Sequence, residues 1–166
     1  MTVLTLDRTA RGQYALGEVG SLRNLKRFSA EIRAGDAAWT LRRALGGVGQ
    51  VISASDSASG ARVGRYVPHG FLHLRGVFGG TLTAGETSYD WRAKHQLSSH
   101  FAVSSAGVEL AHFDAGPQAQ PVRVHIEELT ALEPLALLFC CHLVKQMADT
   151  AKVGTVAAVG VAAGRS

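Results

Sequence analysis

The chain predicts a mainly β protein: a closed barrel of twelve antiparallel strands threaded by its own hydrophobic C-terminal α-helix. Three observations carry that expectation. Short runs of alternating apolar and polar residues recur from Thr2 to Ile126, divided by turn residues such as Gly35-Asp36, Ala84-Gly85-Glu86 and Ala106-Gly107. One helical pattern follows them, Ala131 to Met147, and from Leu135 to Val144 it is apolar on every side except at His142. A helix without a polar face must be enclosed. A cylinder of about twelve strands leaves a central space that needs a plug, and closure removes exposed sheet edges.

Taken in order, Thr2 to Arg8 and Gln13 to Val19 read as opening strands, the second ended by Gly20. Arg27 to Arg33 alternates cleanly, with Phe28, Ala30 and Ile32 on one face and Ser29, Glu31 and the two arginines on the other. Ala38 to Arg43 turns Trp39 and Leu41 inward, and Val48 to Ala54 follows the Gly46-Gly47 break. The polar loop Asp56 to Gly60 leads into Arg62 to Val67, which Pro68 stops. Phe71 to Val77 and Gly80 to Thr83 are short pieces, and Thr87 to Ala93 sets Tyr89 and Trp91 on one face against Asp90 and Arg92. His100 to Ser104 and Val108 to Phe113 flank the Ala106-Gly107 hairpin. In the last strand Val122, Val124 and Ile126 alternate with Arg123, His125 and Glu127.

The apolar stretch of the helix is about half of the roughly 20 residues a membrane span needs, so a protein core is its expected surrounding. Residues 1–150 form the expected barrel domain, with the helix at 131–147, and 151–166 form an apolar Ala/Gly/Val tail. That tail packs on the barrel, extends the helix or mediates self-association.

A length of 166 residues with 46% hydrophobic and 18% charged content suits one folded domain. The opening MTVLTLDRTARGQY has no charged start, apolar block and cleavage site of a secretory signal. Cys140 and Cys141 are neighbours on the helix, where successive side chains diverge by about 100°, so no disulfide is expected. Both features fit a cytoplasmic protein. Charge is uneven: residues 1–65 hold ten Lys/Arg against five acids, while the whole chain is +4. The first part therefore offers a basic surface to anionic partners.

The order of features resembles the tubby C-terminal-like superfamily, within it the phospholipid scramblase and LURP-one-related branch. The residues that carry the likeness are Trp39-Thr40-Leu41-Arg42, the phrase Ser59-Gly60-Ala61-Arg62-Val63-Gly64-Arg65-Tyr66, the hairpin Gly80-Thr81-Leu82 with Tyr89-Asp90-Trp91-Arg92, and the helix Leu135 to Val144. The resemblance implies a twelve-stranded barrel closed around a hydrophobic helix and a protein that binds phosphoinositide headgroups or works at phospholipid membranes. A cysteine-rich palmitoylation cluster and a compact acidic calcium stretch, both marks of the scramblase branch, are missing from this sequence.

No catalytic signature stands out. No serine sits in a G-x-S-x-G elbow, the glycine-rich pieces lack the Lys-Ser/Thr of a P-loop, and Glu127 and Glu128 lie on opposite strand faces. His69 and His73 share a strand face, but His95, His100, His112 and His125 are scattered over other segments, so neither a metal site nor a cofactor is expected. His142 is expected to find a hydrogen-bond partner inside the barrel or at its mouth. The expected binding residues are Arg23, Lys26, Arg27, Arg42 and Arg43, basic groups gathered on one rim for an anionic headgroup. The functional expectation is a non-enzymatic barrel that binds anionic phospholipid at a membrane surface, peripheral to the inner face, with no nucleic-acid partner. The alternative is a protein-interaction or scaffold module, including one that forms homo-oligomers.

Overall fold

The computed structural model describes residues 1–25, 29–44, 51–69, 79–94, 100–116 and 122–146. Twelve strands form one closed barrel: β1 Thr2–Ala10, β2 Gln13–Leu16, β3 Gly20–Asn24, β4 Ser29–Ala34, β5 Ala37–Arg43, β6 Ile52–Asp56, β7 Arg62–Pro68, β8 Gly80–Ala84, β9 Thr87–Ala93, β10 His100–Ser105, β11 Val108–Ala115 and β12 Val122–Ile126. Each pairs antiparallel with its neighbours in chain order. The seam closes where β1 meets β12, with Thr2 opposite Ile126 and Leu6 opposite Val122.

After β12 a single 3-10 turn, Leu129–Ala131, leads to the helix α1, residues 134–146. Pro134 opens α1, where its missing N–H costs nothing, and Leu137 N–H donates to the Glu133 carbonyl at 3.0 Å. From Leu135 to Lys145 every side chain of α1 is buried. Burial all round is possible only inside the barrel, and the inward residues of all twelve strands join α1 in one core. Leu22, Ile32, Leu41, Leu82, Trp91, Phe113 and Ile126 from the wall, with Leu138 and Phe139 from the helix, are among its fully buried members. Each such side chain contributes about 1.5–3 kcal/mol over an exposed one.

The helix direction is fixed by its ends. At the end where it enters, the Glu133 carboxylate lies beside Gly85 in the β8–β9 turn; where it leaves, Lys145 Nζ stands 4.4 Å over the Tyr14 ring near the start of β2. An acid before the first turn and a cation in the last also match the helix dipole. Trp91 stacks on Phe101 at 5.4 Å and meets the edge of Phe113 at 5.3 Å, packing one side of the core.

The expected architecture is therefore present, with local differences. The second strand ends at Leu16, and the turn through Gly17, at φ 51°, is closed by Val19 N–H donating to the Leu16 carbonyl. Gly20 begins a strand rather than ending one: β3 was hidden because Leu22 is its one buried residue, and pairing to β2 and β4 makes it a strand. A β-carbon at Gly20 would overlap the Arg33 carbonyl oxygen and lie 2.8 Å from Leu138 Cδ1, so the absent side chain admits the helix. The expected strand Phe71 to Val77, the start of the expected strand Val48 to Ala54, Met147 and the tail 151–166 lie outside the described residues.

His142 departs from expectation. It is buried at 3% exposure, and among the described residues neither ring nitrogen has a hydrogen-bond partner. Desolvation lowers its pKa to about 4, so it sits in the core as neutral imidazole. Cys140 and Cys141 are free thiols at the same depth; burial holds Cys140 well above the usual thiol range and pushes Cys141 up to about 12.

Candidate functional site

Strand alternation gives the barrel an outer wall whose chemistry changes around its circumference. On β4 to β8 the register aligns Ser29, Arg42, Ser53, Arg65 and Thr83 side by side, each opposite the next. All five point away from the buried residues that flank them. The row contains two guanidinium groups, three hydroxyls and no carboxylate. Adjacent strands lie about 4.8 Å apart, so Arg42 and Arg65 stand roughly 10 Å apart across Ser53. Two arginine side chains at that separation reach a single anion placed over the hydroxyl between them.

The next row toward the helix-entry end runs Arg23, Glu31, Thr40, Ser55 and Arg62. Glu31 is the one acid in it and is already engaged, by Arg33 at 2.8 Å and by Arg23 at 3.2 Å. The bond from Arg33 is the main cause that holds its carboxyl below the usual range. Asp56, at the end of β6, accepts from Ser59 N–H and Ala58 N–H, each at 2.9 Å, and so caps its own turn. Its carboxyl is also lowered, by those backbone donors. Among the described residues, no carboxylate pairs with Arg42, Arg62 or Arg65. Arg62 and Arg65 also border an open concavity of about 480 Å³ with Val63, Gly64, Thr83 and Gly85.

The sequence-expected rim residues fall as follows. Arg23 is next to last in β3 and Arg42 and Arg43 end β5, which puts all three toward the helix-exit end of the barrel. Arg23 and Arg42 face outward, Arg23 within its pair to Glu31. Arg43 alternates off that face, opposite buried Ile52, and partial burial lowers its pKa. Lys26 and Arg27 lie outside the described residues. Arg65 and Arg62 were not anticipated as part of the same surface. Their signal was the outward phase of β7 taken together with the β5–β6–β7 register, which no single segment displays.

The opposite wall, β9 to β12, carries histidines and carboxylates together with Arg92, Lys94 and Arg123, the last opposite Asp114 in the β11–β12 register. Asp90 pairs with Arg92 at 2.6 Å, and Lys94 with Glu109 at 3.3 Å. Asp114 takes a short hydrogen bond from His100 Nδ1 on one oxygen and has His125 Nε2 at 3.1 Å from the other. His112 faces His125 across the β11–β12 pair, the two rings stacked with centroids 4.4 Å apart. His69, by contrast, is on β8's side of the barrel, its Nε2 2.7 Å from Thr81 Oγ1. His73 and His95 lie outside the described residues.

Among the described residues no helix is long and apolar enough to cross a membrane. A scan against protein-family models, a search of curated proteins and a search of solved structures each return no match, so the functional reading rests on the residues of this chain.

Proposed function

We propose that the protein is a tubby-like barrel that binds anionic phospholipid headgroups, of the phosphoinositide class, through the arginine wall of β4 to β8 at a membrane surface. The observation that carries this reading is the acid-free row Ser29, Arg42, Ser53, Arg65 and Thr83. Guanidinium groups recognise phosphate by paired N–H donors, and the intervening hydroxyls supply further donors between them. Arg62 and Arg23 extend the positive field, while Glu31 and Asp56 are already occupied within the protein. The resemblance to tubby-like proteins at the level of strand and helix order supports the same class of ligand. A cytoplasmic protein docking by one side of its barrel would present this wall to the negatively charged inner leaflet.

Vesicle co-sedimentation tests the reading. Binding is expected to vesicles containing phosphatidylserine or a phosphatidylinositol bisphosphate and to fall with salt, and to be weak with phosphatidylcholine alone. Each basic group near an anionic leaflet is worth about 1 kcal/mol, so the double substitution Arg42→Ala with Arg65→Ala lowers partitioning by about 30-fold. Indifference to lipid charge at low salt overturns the proposal and leaves the interaction-module reading in its place.

A further inference from the structure

We infer that the wall opposite the arginines holds a divalent transition-metal site, formed by His112, His125 and Asp114. The inference is independent of lipid binding, since it stands on other residues and another face.

The fold creates the cluster from segments that look unrelated in sequence. His112 and Asp114 are two apart on β11 and so share its outer face. The β11–β12 register brings His125 directly opposite His112, and the β10–β11 register brings His100 directly opposite Asp114. One potential ligand atom from each of His112, Asp114 and His125 lies within 4.8 Å of the other two. In a tetrahedral site with bonds of about 2.0–2.2 Å, ligand atoms stand about 3.4 Å apart. Side-chain rotations of roughly 1 Å at the ligand atoms close that difference, and the half-buried positions leave room for them.

The surroundings also match a ligating set. A metal-bound carboxylate is usually held by a further hydrogen bond, and here His100 fixes one oxygen of Asp114 while the other faces His125. A ligating imidazole usually donates its second N–H, and His112 Nδ1 has the Glu109 carboxylate at 3.4 Å. An ion bound at His125 Nε2 takes that nitrogen's lone pair, so the ring ligates as the tautomer that carries its proton on Nδ1. Two nitrogens and one carboxylate oxygen with open remaining positions suit zinc, cobalt or iron(II); calcium and magnesium prefer an all-oxygen shell.

The test uses the untagged full-length chain, stripped with chelator and titrated with cobalt(II), then with zinc, followed by visible absorption and calorimetry. The expected result is saturable binding of one equivalent at micromolar concentrations or below, with zinc displacing cobalt. His112→Ala and His125→Ala each weaken binding by about 100-fold or more, and Asp114→Asn, which keeps the shape of the side chain, does the same. His100→Ala, a positioning change, weakens it by about 10-fold. His69→Ala, beside Thr81 of β8 and away from this wall, leaves it unchanged. Far-UV circular dichroism of each variant establishes that the barrel is intact. Failure of the wild-type chain to bind either ion saturably, or equal binding by the folded His112→Ala, His125→Ala and Asp114→Asn variants, overturns the inference.

Discussion

Replacing His142 by leucine is expected to stabilise the protein and to flatten its response to acid. The ring is enclosed at 3% exposure with neither nitrogen hydrogen-bonded among the described residues, and burial lowers its pKa from 6.5 to about 4. An orphaned buried polar atom costs about 1–3 kcal/mol, so an apolar side chain of similar size returns about 1–2 kcal/mol at neutral pH after allowing for imperfect repacking. The acid response adds to this. Between pH 6.5 and about 4 the unfolded chain takes up a proton on His142 that the folded chain refuses. Stability therefore rises with pH across that window and is lost as pH falls through it. The loss from this one group reaches about 2 kcal/mol by roughly pH 5. Denaturant unfolding followed by tryptophan fluorescence, run at about pH 8 and about pH 5, measures both effects for wild type and His142→Leu. The gap between the two proteins should widen from about 1–2 kcal/mol to about 3–4 kcal/mol. A constant gap, or a variant less stable than wild type at both pH values, refutes the reasoning and means that the imidazole is satisfied or solvated in solution.

Two further outcomes follow from local geometry. Ala106 sits at φ 49° beside Gly107 at φ 80°, the backbone of a primed hairpin turn, so Ala106→Gly is expected to raise stability by about 0.5–1 kcal/mol in thermal or urea unfolding; unchanged or lowered stability refutes it. Cys140 and Cys141 are fully enclosed, with burial raising both thiol pKa values, so neither should react with a thiol reagent in native buffer and both should react in denaturant; fast labelling of the native protein would show that the helix leaves the barrel readily.

The wall and its plug were legible because burial leaves a period in the sequence. Ala30, Ile32 and Leu41 alternate with polar neighbours and are all at 0% exposure, and the run Leu135 to Val144 could be read as enclosed from its lack of any polar face. β3 was not legible, because Ser21-Leu22-Arg23-Asn24 carries a single strong apolar residue and owes its conformation to neighbours on both sides. The two surface constellations were harder still. Arg42 and Arg65, or His112 and His125, become neighbours through register, and register is a property of pairs of strands joined by turns of particular length. His142 was misjudged for a different reason. Buried polar groups are usually satisfied, whereas here the apolar helix carries its imidazole to a place where, among the described residues, neither ring nitrogen has a hydrogen-bond partner.

The helix that fills the barrel comes after all twelve described strands, and the seam joins the first of them to the last. A ribosome making this protein therefore releases neighbouring strands that can pair in turn, while the two seam edges and the greasy inner faces stay open until it delivers the rod they are shaped to grip. The distant pairing at the seam forms slowly, and the waiting chain is exposed to wrong partners. Completion of the core is thereby deferred until translation has passed residue 146.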